Sequence, residues 1–209
     1  MAAGPAGRLT MQLREYFDQL APTWDERFSE NSLRCLRDIV AELGVRPGHC
    51  VLDIGTGTGV LLPFLIAEMH ETGRIIALDI SAEMLAQAKR RAPYLTVNLT
   101  QANAMAIPLV DHSVDLAVCN STLPHFEDKA SALKEIARTL KKRGRLVICH
   151  TMSRAMVNRL HEELGGVVAG DRLPDEYGLR EQVVDVGLTI THFEDRDERY
   201  LVIAEKRAG

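Results

Sequence analysis

Four cysteines among 209 residues, Cys35, Cys50, Cys119 and Cys149, are too few and too scattered to frame a fold. None has the close pairing of a zinc motif, and three lie in or at the ends of apolar runs, the usual setting of buried reduced thiols. A disulfide-built secreted scaffold is therefore not expected, and a cytoplasmic setting is. No apolar run reaches the length of a membrane span, and no leader-like segment is visible. Positive charge is not in surplus either: 25 Lys and Arg against 29 Asp and Glu leave a net charge of −4, which argues against nucleic acid as a partner. The one basic cluster, Lys141-Lys142-Arg143 with Arg138 and Arg145 nearby, closes a helical pattern just before a strand and reads as a solvated face. Internal repeats are absent. What remains is a chain that is 46% hydrophobic and long enough to bury one large core, so residues 1–209 are expected to form a single enzyme domain with a small-molecule partner.

The segment richest in information runs Cys50-Val-Leu-Asp53-Ile-Gly55-Thr56-Gly57-Thr58-Gly59-Val60. An apolar run ends in an acid, three glycines alternate with small residues, and a helical pattern begins. This is a buried strand, a tight turn and a helix start, where backbone can approach a nucleotide-like ligand closely. A second apolar run, Ile75 to Leu78, ends at Asp79, which places a carboxylate where a ribose diol could donate to it. A dinucleotide fingerprint would need glycine at position 60, where the chain has Val60. Asp53 also points negative charge at the turn, which would repel a pyrophosphate and attract an amino group and a sulfonium.

Periodicity places the elements around this turn. Helices are expected at Leu9 to Leu20, stopped by Pro22, and at Leu33 to Leu43, capped by Gly44, after a disordered start over Met1 to Gly7. Strands follow at 50–54, 74–79, 95–101, 114–119 and 146–149, alternating with helices at 59–70, 81–91 (N-capped by Ser81) and 129–140. A helix at 153–164, a Gly165-Gly166 break, a short helix at 176–186 and two closing strands, 188–193 and 200–204, complete the chain. The charged turn between the closing strands makes the last one antiparallel. The pattern is α/β, a parallel sheet with helices on both faces.

The D-x-G-x-G-x-G run with Asp79 resembles the class I S-adenosylmethionine-dependent methyltransferases over nearly the whole chain. That resemblance implies a Rossmann-like, seven-stranded, mostly parallel sheet of order 3-2-1-4-5-7-6 and S-adenosyl-L-methionine as cofactor. It further implies that Asp53, Gly55 and Gly57 line the methionine end, with hydroxyl contacts from Thr56 and Thr58. Asp79 would hold the ribose, Ile80 and Met84 would sandwich the adenine, and Asn103 and Ala104 would lie at its edge. Asn103 stands where many relatives have aspartate, and its carbonyl could accept from the adenine amino group. Asn120 would lie beside the transferred methyl group. The run Asn120 to Phe126 lacks the Asn/Asp-Pro-Pro-aromatic and Pro-Cys patterns of nucleic-acid base methylases, and most resembles small-molecule enzymes, the quinone C-methyltransferases among them. Residues 8–30, with Tyr16 and Trp24, resemble the N-terminal lid segment of the family; an aromatic stripe serving packing alone is the alternative.

His125 follows the fourth strand and His150 ends the fifth. The next helix carries Arg154, Asn158 and His161 at i, i+4 and i+7, opposite Met156, Leu160 and Leu164. These residues are candidates for the acceptor wall, with His125 and His161 as candidate bases, a solvated helix face being the alternative. The histidine spacing matches no compact metal motif, so no metal is expected. Two rival functions stay open on these residues: a cofactor-binding protein of the same fold without catalysis, and a less favoured NAD-dependent oxidoreductase.

Overall fold

The computed structural model describes residues 5–70, 72–91 and 96–208, without the side chains of 5–8. Seven strands form one sheet of order β3-β2-β1-β4-β5-β7-β6. They are β1 (Cys50–Ile54), β2 (Arg74–Asp79), β3 (Val97–Gln101), β4 (Val114–Asn120), β5 (Leu140–His150), β6 (Leu188–Arg196) and β7 (Arg199–Lys206). The pairs among β1 to β5 are parallel, and β7 enters antiparallel between β5 and β6. All five residues of β1 are buried, as a strand covered on both faces requires.

Alternation along the strands divides the core. Leu52, Ile54, Leu78, Ala117 and Ile148 face one side, where α5 (Lys129–Thr139) and α7 (Glu176–Asp185) pack. Val51, Ile75, Ala77, Val118 and Val147 face the other, against α2 (Glu30–Glu42) and α3 (Leu62–Met69). α4 (Ala82–Arg91) starts at Ser81, whose Oγ accepts from the Met84 N–H at 3.0 Å. The capping side chains of Ser29, Asp128 and Ser153 similarly start α2, α5 and α6 (Arg154–Leu164). Among the described residues no helix is long and apolar enough to cross a membrane.

Several boundaries differ from the sequence pattern. Helix α1 spans Pro5–Leu20, so residues 5–7 are helical where a disordered start was expected; Met1 to Gly4 lie outside the described residues, as does Leu95, the expected start of the third strand. Pro22 does end α1, yet the chain continues as a 3₁₀ helix, Ala21–Arg27. Helix α3 begins at Leu62, because the glycines spend residues 57–61 in turns, with the Gly59 N–H on the Thr56 carbonyl. Strand β5 starts at Leu140, and its register on β4 shifts between Val114 and Leu116. At that irregularity the basic cluster sits in the strand start, with Lys141 paired to Asp115 at 2.8 Å and Arg145 donating to the Leu43 carbonyl.

Candidate active site

The carboxyl ends of β1, β2, β4 and β5 carry Asp53, Asp79, Asn120 and His150 to one edge of the sheet, the edge where parallel α/β sheets bind ligands. Gly55 and Gly57 take φ of 67° and 55°, so the turn doubles back over the strand ends. The Gly55 and Thr56 N–H groups donate to the Leu78 carbonyl at 2.7 and 3.0 Å. Asp79 is the anchor: its carboxylate accepts from the Gly57 N–H at 2.8 Å and the Ser81 N–H at 2.9 Å. Each oxygen keeps acceptor capacity for a further donor. Burial pushes the Asp79 carboxyl above the usual range, opposed by these backbone hydrogen bonds.

Asp53 is a correction. Its carboxyl does not line the cavity but lies beneath the loop, accepting from Thr56 Oγ1 at 2.6 Å. Complete burial raises its pKa from 3.8 to about 7, partly offset by the Thr56 hydroxyl. The folded state therefore holds a proton there that the unfolded chain has released between about pH 4 and 7. Stability should fall by up to about 4 kcal/mol as pH rises through that window and level off above it, with Asp79 adding a slope of the same sign. Denaturant melts of wild type and Asp53→Asn from pH 4 to 8 check this: the variant should lose most of the slope, and identical slopes would refute the assignment.

One cavity of about 480 Å³ runs along this edge. Its lining includes Gly55, Thr56, Gly57 and Asp79, with Ile80, Met84, Asn103 and Ala104. Asn103 Oδ1 is taken by the Met105 N–H at 2.9 Å, which leaves its amide N–H groups, rather than an uncommitted carbonyl, as the principal group to offer. Thr58 is also corrected: its hydroxyl donates to Asp25 at 2.5 Å, away from the cavity. Tyr16 and Trp24 line the cavity from the N-terminal segment, and Arg27 lies over the Trp24 ring, 4.9 Å from its centroid. That segment is tied to the sheet edge by polar contacts. Asp18 accepts from Ser81 Oγ at 2.6 Å, Asp25 pairs with Arg91, and Thr10 donates to Glu127 at 2.7 Å.

Asn120 and three histidines also line the cavity. His125, at the end of the 3₁₀ turn Leu123–His125, places Nδ1 2.5 Å from the Asp171 carboxylate. His161, on α6, places Nδ1 2.9 Å from the Asp171 backbone carbonyl. The His125 and His161 rings lie 4.9 Å apart, and Phe17 is 5.1 Å from His125. Burial lowers the His161 pKa, and drives that of His150 down to about 3. Both rings are therefore neutral at neutral pH.

Two expected wall residues are elsewhere. Arg154 lies outside the cavity, its N–H on Asp195 at 2.9 Å and its guanidinium facing the same carboxylate. Asn158 spends both ends of its amide on the Leu173 backbone, at 2.8 and 3.2 Å, and pins the loop after α6. The face of α6 toward the cavity is Val157, Leu160, His161 and Leu164, so only the last residue of the polar stripe points inward. Sequence reasoning also passed over Phe17, which reads as core in an apolar stripe. Asp171 likewise carries no sequence signal, since nothing local ties a loop aspartate to a histidine 46 positions away. Among the described residues no cluster could hold a metal ion.

Comparison with known proteins gives a consistent picture. Residues 52–148 match the methyltransferase-domain family. The chain is 34% identical over 154 residues to demethylmenaquinone methyltransferase of Lactiplantibacillus plantarum, covering 70% of this chain and 65% of that protein. It is 37% identical over 116 residues to the ubiquinone/menaquinone biosynthesis C-methyltransferase UbiE of Pseudoalteromonas translucida, covering 54% and 46%. The chain thus spans about half to two thirds of the length of these two curated relatives, and 37% of that of an uncharacterised transposon protein of Streptomyces fradiae. The fold matches magnesium protoporphyrin IX methyltransferase from Synechocystis PCC 6803, solved with bound SAH, at a TM-score of 0.72 and 18% identity, over 95% of this chain and 99% of that one.

Proposed function

The chain belongs to the class I S-adenosylmethionine-dependent methyltransferases, and from that premise we propose that it transfers a methyl group to a small-molecule acceptor. One observation carries the reading: the glycine turn with Asp79 and the histidines around Asp171 line one and the same cavity. The donors present fit the cofactor. A Cβ on Gly57 would meet nothing nearer than Trp24 Nε1 at 3.8 Å, so the backbone there is open to a ligand. Asp79 keeps lone pairs for the ribose hydroxyls, Thr56 and the loop backbone would hold the methionine end, and Ile80, Met84 and Asn103 would hold the adenine. When bound, S-adenosylmethionine supplies a methyl group already activated by its sulfonium.

The work left to the protein is alignment and proton removal. Asn120 and His150 close the floor of the cavity, and His125 takes the proton that the acceptor releases. Residues 8–30 act as the lid, because Tyr16 and Trp24 line the cavity and the segment is held across it by Asp18 on Ser81 and Thr10 on Glu127.

A titration tests both parts. S-adenosylhomocysteine at about 100 times its Kd should stabilise the protein by roughly 2.7 kcal/mol, raise Tm and shift Trp24 fluorescence, whereas NAD should do none of these. Stabilisation by NAD alone would overturn the cofactor reading. Methyl transfer from labelled cofactor to a panel of small molecules separates an enzyme from a binding protein of the same fold.

A further inference from the structure

Asp171 contacts both cavity histidines, with two different parts of itself. Its carboxylate faces His125 Nδ1 at 2.5 Å and its backbone carbonyl faces His161 Nδ1 at 2.9 Å. The loop that carries it is fixed on both sides: the Asp171 N–H donates to the Val168 carbonyl at 3.0 Å, and Asn158 clamps Leu173. A carbonyl or carboxylate oxygen only accepts, so the imidazole nitrogen facing it must carry the hydrogen. A neutral ring with hydrogen on Nδ1 has a bare lone pair on Nε2.

We propose that Asp171 is a positioning residue that sets the tautomer of both histidines, so that the acceptor end of the cavity presents two imidazole lone pairs and selects a substrate bearing two hydrogen-bond donors. Hydroxyl or amino groups satisfy such a wall, and a carboxylate or phosphate does not. The cation in the cavity lining, Arg27, lies over the Trp24 ring, 4.9 Å from its centroid, and the charged groups closer to Asp171 are otherwise engaged. Lys129, whose ammonium feels the Asp171 charge, is spent on the Pro124 and Phe126 carbonyls at 2.9 and 3.2 Å. Arg154 is held by Asp195, and Glu127 adds a further acceptor to the lining. His150, in the same lining, has its buried Nε2 unpartnered and is neutral. The assignment of an acceptor rests on the methyl-transfer reading, while the tautomers do not.

The test is the nitrogen-15 spectrum of the histidine rings in the full chain at neutral pH. His125 and His161 should both appear with hydrogen on Nδ1. In Asp171→Ala the His125 preference should be lost, while His161, bound to a backbone carbonyl that the substitution keeps, should be unchanged. Hydrogen on Nε2 of His125 in the wild type, or an unaltered His125 spectrum in the variant, would overturn the proposal; the wild-type spectrum decides alone if the variant does not fold. With an acceptor in hand, Asp171→Asn should lower kcat between about 10- and 10⁴-fold with cofactor KM little changed. Methylating both donors of that acceptor should abolish its binding, and binding that survives would sink the two-donor rule. Expected tautomers without any turnover would refute methyl transfer and leave the tautomer assignment standing.

Discussion

His125→Ala should lower methyl-transfer turnover about 10²–10⁴-fold, the usual cost of losing a general base, while S-adenosylhomocysteine affinity stays within about twofold. The separation follows from where the ring sits. The turn that carries it is held by backbone and by Lys129, with the His125 N–H on the Thr122 carbonyl at 3.0 Å and the Lys129 ammonium on the Pro124 and Phe126 carbonyls. Removing the imidazole leaves these contacts intact. It unpairs the half-buried Asp171 carboxylate, a cost to stability of about 1–3 kcal/mol that a melt would register. His161→Ala gives the contrast. That ring reaches only a backbone carbonyl, so its loss should raise acceptor KM more than it lowers kcat. Equal turnover in His125→Ala and wild type would remove proton transfer from the role of this side chain.

The parts of the site near the glycine turn were legible because each depends on local chemistry. Alternating apolar runs and helices specify a parallel sheet, the strand ends fall at its carboxyl edge, and glycine at positive φ marks the turn. Asp79 and Asn120 follow from that geometry alone. The acceptor wall was less legible because its side chains are aimed by tertiary contacts. Arg154 and His161 share a stripe in sequence, yet Asp195 on β6 draws the first outward and the Asp171 loop draws the second inward. Asn158 shows the same effect, since a loop carbonyl and N–H took the amide that the pattern offered to a ligand. Asp53 was read with the right neighbours but the wrong depth: a residue two places before the first glycine of the turn is still inside the strand, and β1 is buried along its whole length.

Gly55→Ala should cost both cofactor binding and turnover, because it strikes the glycine turn and the segment after β4 at once. The residue sits at φ 67°, where a Cβ alone costs about 1 kcal/mol. An added Cβ would lie 2.6 Å from Thr122 Cβ and 3.2 Å from its Cγ2. Thr122 Cβ is rooted in the backbone and cannot swing aside, so the segment after β4 must move, and overpacking of this kind adds about 1–3 kcal/mol. That segment is itself constrained. Ser121 already holds φ 54° with its N–H on the Cys149 carbonyl, and Thr122 starts the turn that carries His125. Displacement from one side therefore disturbs the glycine turn, and from the other the base. S-adenosylhomocysteine affinity should fall by at least about 10²-fold and turnover should be lost, with Tm lowered by several degrees. Gly57→Ala is the control for conformation alone: its φ is 55°, but the new methyl would meet only Trp24 Nε1 at 3.8 Å, so Tm should drop less. Thr122→Gly in the Gly55→Ala background removes the obstructing carbon and should recover most of the packing loss, leaving the conformational penalty. A Gly55→Ala protein with wild-type Tm and cofactor affinity would show that the turn and the segment after β4 are not in contact as described.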